Sequence, residues 1–377
     1  NLFRKILPLS SNISTLPQKN FYKNNKIDID DLNEISLDEV LDKKILESND
    51  QNLNTFEKKT ILVTGGAGSI GTEITRQLLK SKLKKLIILD HSELNIYRIN
   101  QKLNSKKLKI ILGNIQDKIL LEKIIKINKV DYIFHAAAYK HVKFLEDNIY
   151  AATKNNILGT QALIESIKGK KINFTFISTD KAVEPKTVLG ITKRVGELLV
   201  HFASNHNDYK KTKFTIVRFG NVIGSDGSAL PYFINQIKKN QTITVTDKKM
   251  QRYFMTIKEA CKLVLQSTLI DSKNKILFLD MGKPVKIVDI IKKIFNICKK
   301  PDQKLKLRYI GNKFNEKISE KLSSQNAFYK TKFNKINFIY DKTKKKSDVN
   351  IFLNLLNNKI NIYDNKKLLN IIKNFIK

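Results

Sequence analysis

The chain has 377 residues, 41% of them hydrophobic, enough to bury a large core in about two domains. No apolar run approaches the roughly 18 residues of a membrane helix, no signal peptide is visible, and the two cysteines, Cys261 and Cys298, lack metal-ligand spacing and read as reduced core residues of a cytoplasmic protein. The formal charge of +35 comes from lysines spread over every segment, which reads as a solvated, biased surface and argues against a nucleic-acid partner; attraction to an anionic membrane face is the more plausible functional use.

Residues 1–54 read as an approach segment that docks on the next domain. Pro8, Pro17 and polar clusters break it up, and Ser36 with Glu39 three residues on marks a short capped helix. The chain begins at Asn1 rather than Met, which reads as part of something longer.

The organising stretch is KTILVTGGAGSIG at 59–71. Ile61, Leu62, Val63 and Thr64 make a short buried strand that runs into Gly65, Gly66, Gly68, Ser69, Ile70 and Gly71, and a helix follows through Leu79. A strand, a glycine turn and a helix N-terminus form an anion site: glycines admit a pyrophosphate to the backbone, and the helix dipole favours its charge. The next strand, 86–90, ends in Asp90, where a Rossmann fold places the carboxylate for the adenosine ribose hydroxyls. An acid there repels a 2′-phosphate, so NAD is favoured over NADP.

Further strands are expected at 108–112, 132–135, 174–178 and 215–218, with helices over 116–127 and 151–167 between them. This alternation predicts a doubly wound parallel sheet over residues 55–220, with ligands beyond the strand carboxyl ends. Gly113, Asn114 and Ile115 read as a turn along the adenine, and Ala136, Ala137 and Ala138 as small residues that let the backbone approach the cofactor. The fifth strand runs into Ser178, Thr179, Asp180 and Lys181, and a helix then carries Leu189 and Lys193.

The series TGGAGSIG, HAAAYKHV, NNILGT, STDKAV and a helix bearing Lys193 resembles the extended short-chain dehydrogenase/reductases. With RFGNVIGSDGSALPYF (218–233), TVTDKKMQRYFMTIKEA (244–260) and FLDMGKPVKIVDI (278–290), it looks like the nucleotide-sugar 4,6-dehydratases of bacterial polysaccharide biosynthesis. The closest likeness is to the long, membrane-anchored type acting on UDP-N-acetylglucosamine. The resemblance implies a Rossmann NAD domain, a substrate domain over 221–322 with strands returning to the sheet, and a helical extension over 323–377. It further implies self-association, and membrane association through a region preceding Asn1, on the cytoplasmic side.

The superfamily's Tyr-x-x-x-Lys keeps its spacing, but Leu189 stands at the tyrosine position, four residues before Lys193 on the same helix face. The long-type dehydratases also lack this tyrosine, and its absence favours the retaining outcome at C-5. The reaction implied is an internal redox dehydration, with hydride taken from C-4 and returned to C-6. Lys181 is expected as the C-5 base, Asp180 as the acid at C-6, Thr179 as hydrogen-bond partner of the C-4 oxygen, and Lys193 as anchor of the nicotinamide ribose. Lys140, Asn156 and Ser178 are carried over as cofactor contacts, and Lys140, His141, Asn221, Arg252, Lys313 and Glu316 as substrate contacts. In the segment matching G-L-R-P-G-E-K, Lys313 replaces the arginine and Phe314 the proline, which keeps a charge but loses the fork. A UDP-sugar epimerase and a non-catalytic NAD-binding protein stand as alternatives. Beyond Leu322, 342–346 reads as a solvated charge run, and 349–356 and 366–376 as amphipathic helices docking on the substrate domain.

Overall fold

Strand residues at 61–63 alternate between two apolar faces, and that alternation builds the fold. In the computed structural model, Ile61 and Val63 pack on one side of a central sheet, while Leu62 packs on the other with Ile87, Leu89 and Ile133. The structure describes residues 14–15, 33–34, 50–225, 227–299, 302–312, 315–323, 328–341, 346–360 and 364–377. The expected helix after Ser36, the side chain of Lys313 and the charge run at 342–346 therefore lie outside the described residues or side chains.

Six parallel strands come first in chain order: β1 (Thr60–Thr64), β2 (Lys85–Asp90), β3 (Leu108–Leu112), β4 (Tyr132–His135), β5 (Asn173–Thr179) and β6 (Lys213–Phe219). A seventh, β7 (Lys275–Leu279), joins β6 in parallel. Beyond it β9 (Ile336–Tyr340) and β8 (Tyr329–Lys330) add antiparallel. The nine strands lie in the order β8-β9-β7-β6-β5-β4-β1-β2-β3, so the chain reverses direction across the sheet between β1 and β4. That switch point is where open α/β sheets bind ligands.

Helix α1 (Ser69–Leu78) and α7 (Ile257–Ser267) cover one face. The other face holds α3 (Lys118–Asn128), α4 (Gly159–Ser166) and α5 (Val188–Ser204). Phe56, 1% exposed, closes the lower end of the first face edge-on to Tyr132, with ring centroids 5.1 Å apart. A separate apolar cluster outside the sheet joins α6 (Ala229–Lys238) to α8 (Ile287–Cys298) through Phe233, Ile237, Ile290 and Ile294.

Three expectations are corrected. The helix read over 151–167 is interrupted: Ile149–Ala152 is α-helical, Thr153–Leu158 is a π-turn, and α4 begins only at Gly159. The extension over 323–377 is not purely helical, because the alternating I-N-F-I-Y of β9 pairs with β7. Its helices α9 (Lys346–Ile360) and α10 (Asn365–Ile376) do not dock on the substrate domain either. Val349, Phe352, Leu356, Leu368, Ile372 and Phe375 join the cluster around Val188 and Leu189 of α5, with Phe352 and Phe375 stacked at 4.0 Å. Neither cysteine forms a disulfide; Cys261 is buried, but Cys298 is only half-buried.

Candidate active site

At the carboxyl ends of β1 and β4 a cleft of about 620 Å³ opens between the glycine turn and the Ala136–Ala138 run. Gly65, at φ +66°, donates its N–H to Leu89 O at 2.8 Å, and a Cβ there would meet Ala137 Cα at 2.6 Å. Only glycine permits both the left-handed backbone and that approach. Gly68 caps α1 with no side chain of its own, leaving the helix N-terminus turned to the cleft beside Ser69, Ile70 and Gly71. Asp90 lies at the same wall: its Oδ2 accepts from Ala67 N at 3.1 Å and its Oδ1 from Ser92 N at 3.0 Å. Each carboxylate oxygen keeps a second lone pair for a ligand hydroxyl.

Ile115, Ala136, Ala137, Lys140 and His141 also line the cleft. His141 titrates below its usual range because burial and the Lys140 charge disfavour the imidazolium. Four residues expected as cofactor contacts do not line it: Asn114, Asn156, Ser178 and Lys193. Asn114 turns to its own loop, its Oδ1 accepting from Gln116 N at 2.9 Å. Ser178 donates to Glu197 Oε1 at 2.6 Å, under the sheet. Asn156 holds the backbone of Tyr139 at both ends, accepting from its N–H at 2.8 Å and donating to its C=O at 3.1 Å. Its neighbour Asn155 is the one that reaches the cleft. The π-turn decides which asparagine points where, and a sequence read as uniform helix cannot show it.

The end of β5 carries a hydroxyl, a carboxyl and an amine in succession: Thr179, Asp180 and Lys181. Thr179 Oγ1 donates to Asp180 Oδ1 at 2.9 Å, and the same oxygen receives Lys181 Nζ at 3.1 Å. Asp180 is fully buried and its Oδ2 has no hydrogen-bond partner. A Cβ on Gly220 would sit 2.8 Å from that oxygen, so the glycine leaves it room. Lys181 Nζ also reaches Asn221 Oδ1 at 3.2 Å. Asn221 opens a short strand, Asn221–Ile223, paired in parallel with Phe254–Thr256, which ties the partner of Lys181 to the segment beyond Arg252.

Lys193, 7% exposed, points its ammonium at the face of Phe176, 4.4 Å from the ring centroid. Burial brings its amine down to about 8, with Glu197 partly offsetting the shift. Leu189, one turn earlier, is equally buried and belongs to the apolar core. Arg252 does not offer the open fork expected of a phosphate clamp. Its Nη1 donates to Gln251 O, Lys317 O and Ile318 O at 2.7, 2.9 and 3.2 Å, and Nη2 lies 3.5 Å from Glu316. The guanidinium thus staples residues 316–318, and Glu316 is drawn in as its partner.

The sequence matches the family described as polysaccharide biosynthesis protein over residues 61–341. It is 40% identical over 312 residues to the capsular polysaccharide biosynthesis protein CapD of Staphylococcus aureus, covering 81% of this chain and 52% of CapD. The chain therefore spans about half the length of that relative. It is 33% identical over 288 residues to a UDP-glucose 4-epimerase of Rickettsia bellii, covering 73% of this chain and 80% of the epimerase. The X-ray structure of Pen from Bacillus thuringiensis superposes with a TM-score of 0.69 at 33% identity, covering 77% of this chain and 90% of Pen.

Proposed function

The chain belongs to the polysaccharide biosynthesis protein family of extended short-chain dehydrogenase/reductases, and on that premise we propose that it modifies nucleotide sugars, dehydrating UDP-N-acetylglucosamine to a 4-keto-6-deoxy sugar with bound NAD. The observation that carries the reading is the buried Asp180–Lys181 pair at the end of β5, with one carboxylate oxygen on the amine and the other unpartnered. A 4-epimerase has no need of an acid at C-6, and Leu189 stands where the superfamily's tyrosine would serve one.

The residues fit a dinucleotide with an unphosphorylated 2′-hydroxyl. The glycine turn and the open start of α1 suit a pyrophosphate, Asp90 suits a ribose diol, and Ala136 and Ala137 leave room for a close approach. When bound, NAD supplies the hydride acceptor for C-4 and the hydride donor for C-6. Lys193 anchors the nicotinamide ribose. Thr179 hydrogen-bonds the C-4 oxygen, and Asn221 and Lys140 hold the sugar nucleotide. Asp180 takes the C-4 hydroxyl proton through a water and later delivers it to the C-6 hydroxyl. In between, the 4-keto group acidifies C-5 and Lys181 takes that proton; water departs from C-6, and Lys181 returns its proton to C-5 as C-6 is reduced. No net oxidant is consumed.

Incubation with UDP-N-acetylglucosamine in deuterated water, followed by proton NMR, tests the reading. A C-6 methyl signal with deuterium at C-5 is expected. A C-4 epimer without a methyl would transfer the case to the epimerase reading, which the Rickettsia relative's name favours.

A further inference from the structure

The parallel strands β1 to β7 all begin at the end of the sheet away from the cleft, and each is entered through a loop that carries lysine. Lys58 precedes β1, Lys82 and Lys84 precede β2, and Lys106 and Lys107 precede β3; all five are exposed. The loops into β4, β5, β6 and β7 carry further lysines at 129, 168–171, 210–211 and 273. Neighbouring loops touch through their backbones: Lys58 N donates to Lys82 O and Leu86 N to Lys107 O, both at 2.9 Å. Lysines scattered along the sequence are thus gathered by parallel topology onto one end of the molecule. With strands about 4.8 Å apart, that end is a face about 29 Å across.

The charge of this face is barely offset. Of the acids in these loops, Asp131 accepts from Thr60 N at 2.8 Å and lies 4.0 Å from Lys59, Asp208 pairs with Lys168 at 2.7 Å, and Asp271 lies 3.8 Å from Lys275. Glu57 is the remaining one. The loops that leave the same strands at the cleft end are balanced instead. Lys181 and Lys186 stand among Asp180 and Glu184, Lys283 follows Asp280, and the glycine turn after β1 carries no charge.

We propose that the lysine face adsorbs the protein on an anionic lipid surface, with the nucleotide cleft turned away towards solution. Ammonium groups are compact point charges that suit dispersed lipid headgroups, and a broad face suits a flat partner. A nucleic-acid face would mix in arginine and stacking aromatics. These loops contain no arginine, and their one tyrosine, Tyr209, is buried. The proposal does not depend on which reaction the cleft performs.

The test sediments the full chain with phosphatidylcholine vesicles, with and without about 30% phosphatidylserine. Binding is expected only with phosphatidylserine, and is expected to be lost at about 0.5 M salt. Lys82→Glu/Lys84→Glu/Lys106→Glu/Lys107→Glu is expected to weaken it roughly tenfold or more. Lys248→Glu/Lys249→Glu/Lys286→Glu/Lys292→Glu makes the same charge change on exposed residues elsewhere and is expected to stay within about threefold of wild type. If melting shows the first variant misfolded, Lys171→Glu/Lys210→Glu/Lys211→Glu tests the other half of the face. Equal losses in face and control variants overturn the proposal, as does absence of binding to phosphatidylserine vesicles. A random-sequence DNA duplex that binds more tightly than the vesicles, and is lost in the face variant, assigns the face to nucleic acid and overturns it too. Acetylation in the presence of vesicles should spare Lys82 and Lys107 and leave Lys248 and Lys249 reactive; the reverse footprint overturns the orientation.

Discussion

Glu197 and Arg218 meet at two points with no solvent between them: Nε to Oε1 and Nη2 to Oε2, each at 2.6 Å. Arg218 lies on β6 and Glu197 on α5, one turn beyond Lys193. Ser178 Oγ and Arg194 Nη1 donate to the same carboxylate, and Arg194 continues to Asp341 at 2.6 Å. The network locks the helix carrying Lys193 to the strand that ends in Thr179, Asp180 and Lys181. The distance between Lys193 and the Thr179–Lys181 run is therefore set by this network.

Removing one side of this lock leaves buried charge uncompensated. Glu197→Ala is expected to cost about 3–5 kcal/mol, measured as a shift in denaturant midpoint.

Acid should act on the same group. Burial by itself would raise the Glu197 carboxyl, but Arg218, Arg194 and Ser178 bring it down to about 2. A depressed carboxylate stabilises the fold above its unfolded pKa of about 4.5 and loses that contribution as pH falls through 2. His135, held near 3 by burial and by Lys193, adds a penalty that begins below about 6.5, where only the unfolded imidazole binds a proton. Stability against pH should therefore fall in two stages, and Glu197→Gln should remove the lower one.

Lys193 gives the opposite sign on the alkaline side. Its folded amine is lowered to about 8, so below that pH the fold must keep a buried ammonium, and the penalty is relieved as pH rises from 8 towards 10.5. Lys193→Met should be more stable than wild type at pH 7 by about 1–3 kcal/mol, and the gap should close by pH 10. The same variant should lose NAD affinity and turnover. A less stable variant at pH 7 would contradict the buried ammonium.

At the glycine turn, Gly71→Ala and Gly68→Ala separate tight from open positions. A Cβ on Gly71 would lie 2.2 Å from Gly65 O and 2.7 Å from Gly66 Cα, both backbone atoms. On Gly68 it would meet only Gly65 O, at 3.4 Å. Gly71→Ala is expected to weaken NAD binding at least tenfold and lower the melting temperature, with Gly68→Ala close to wild type in melting.

Asp180→Asn keeps the shape of the buried side chain and removes the charge that faces Lys181. Turnover should fall by about 10²–10⁴-fold, the range of general acid–base contributions, with NAD affinity retained. Near-full turnover would remove Asp180 from the mechanism.

The parallel sheet was legible because its signal is local. Apolar runs such as ILVT and KLIILD lie where their own residues pack, so the observed strands differ from the expected bounds by at most two residues. The glycine turn, Asp90 and the Thr179–Lys181 run could be placed for a related reason: each sits at or just past a strand end, and the first two line one cleft.

Orientation within helices, and contacts between distant segments, were not legible. The asparagine pair at 155–156 is symmetric in sequence, and only the π-turn and the Tyr139 backbone decide that Asn156 is spent on structure while Asn155 faces the cleft. Arg252 reads as a phosphate ligand until the carbonyls of 317 and 318 fold over it. Sequence determined the sheet, the glycine turn and the run of Thr179, Asp180 and Lys181 past a strand end, because neighbours in the chain remain neighbours in the strand. Tertiary structure alone decided which polar atoms are satisfied, because a hydrogen bond depends on a partner that the chain brings from elsewhere.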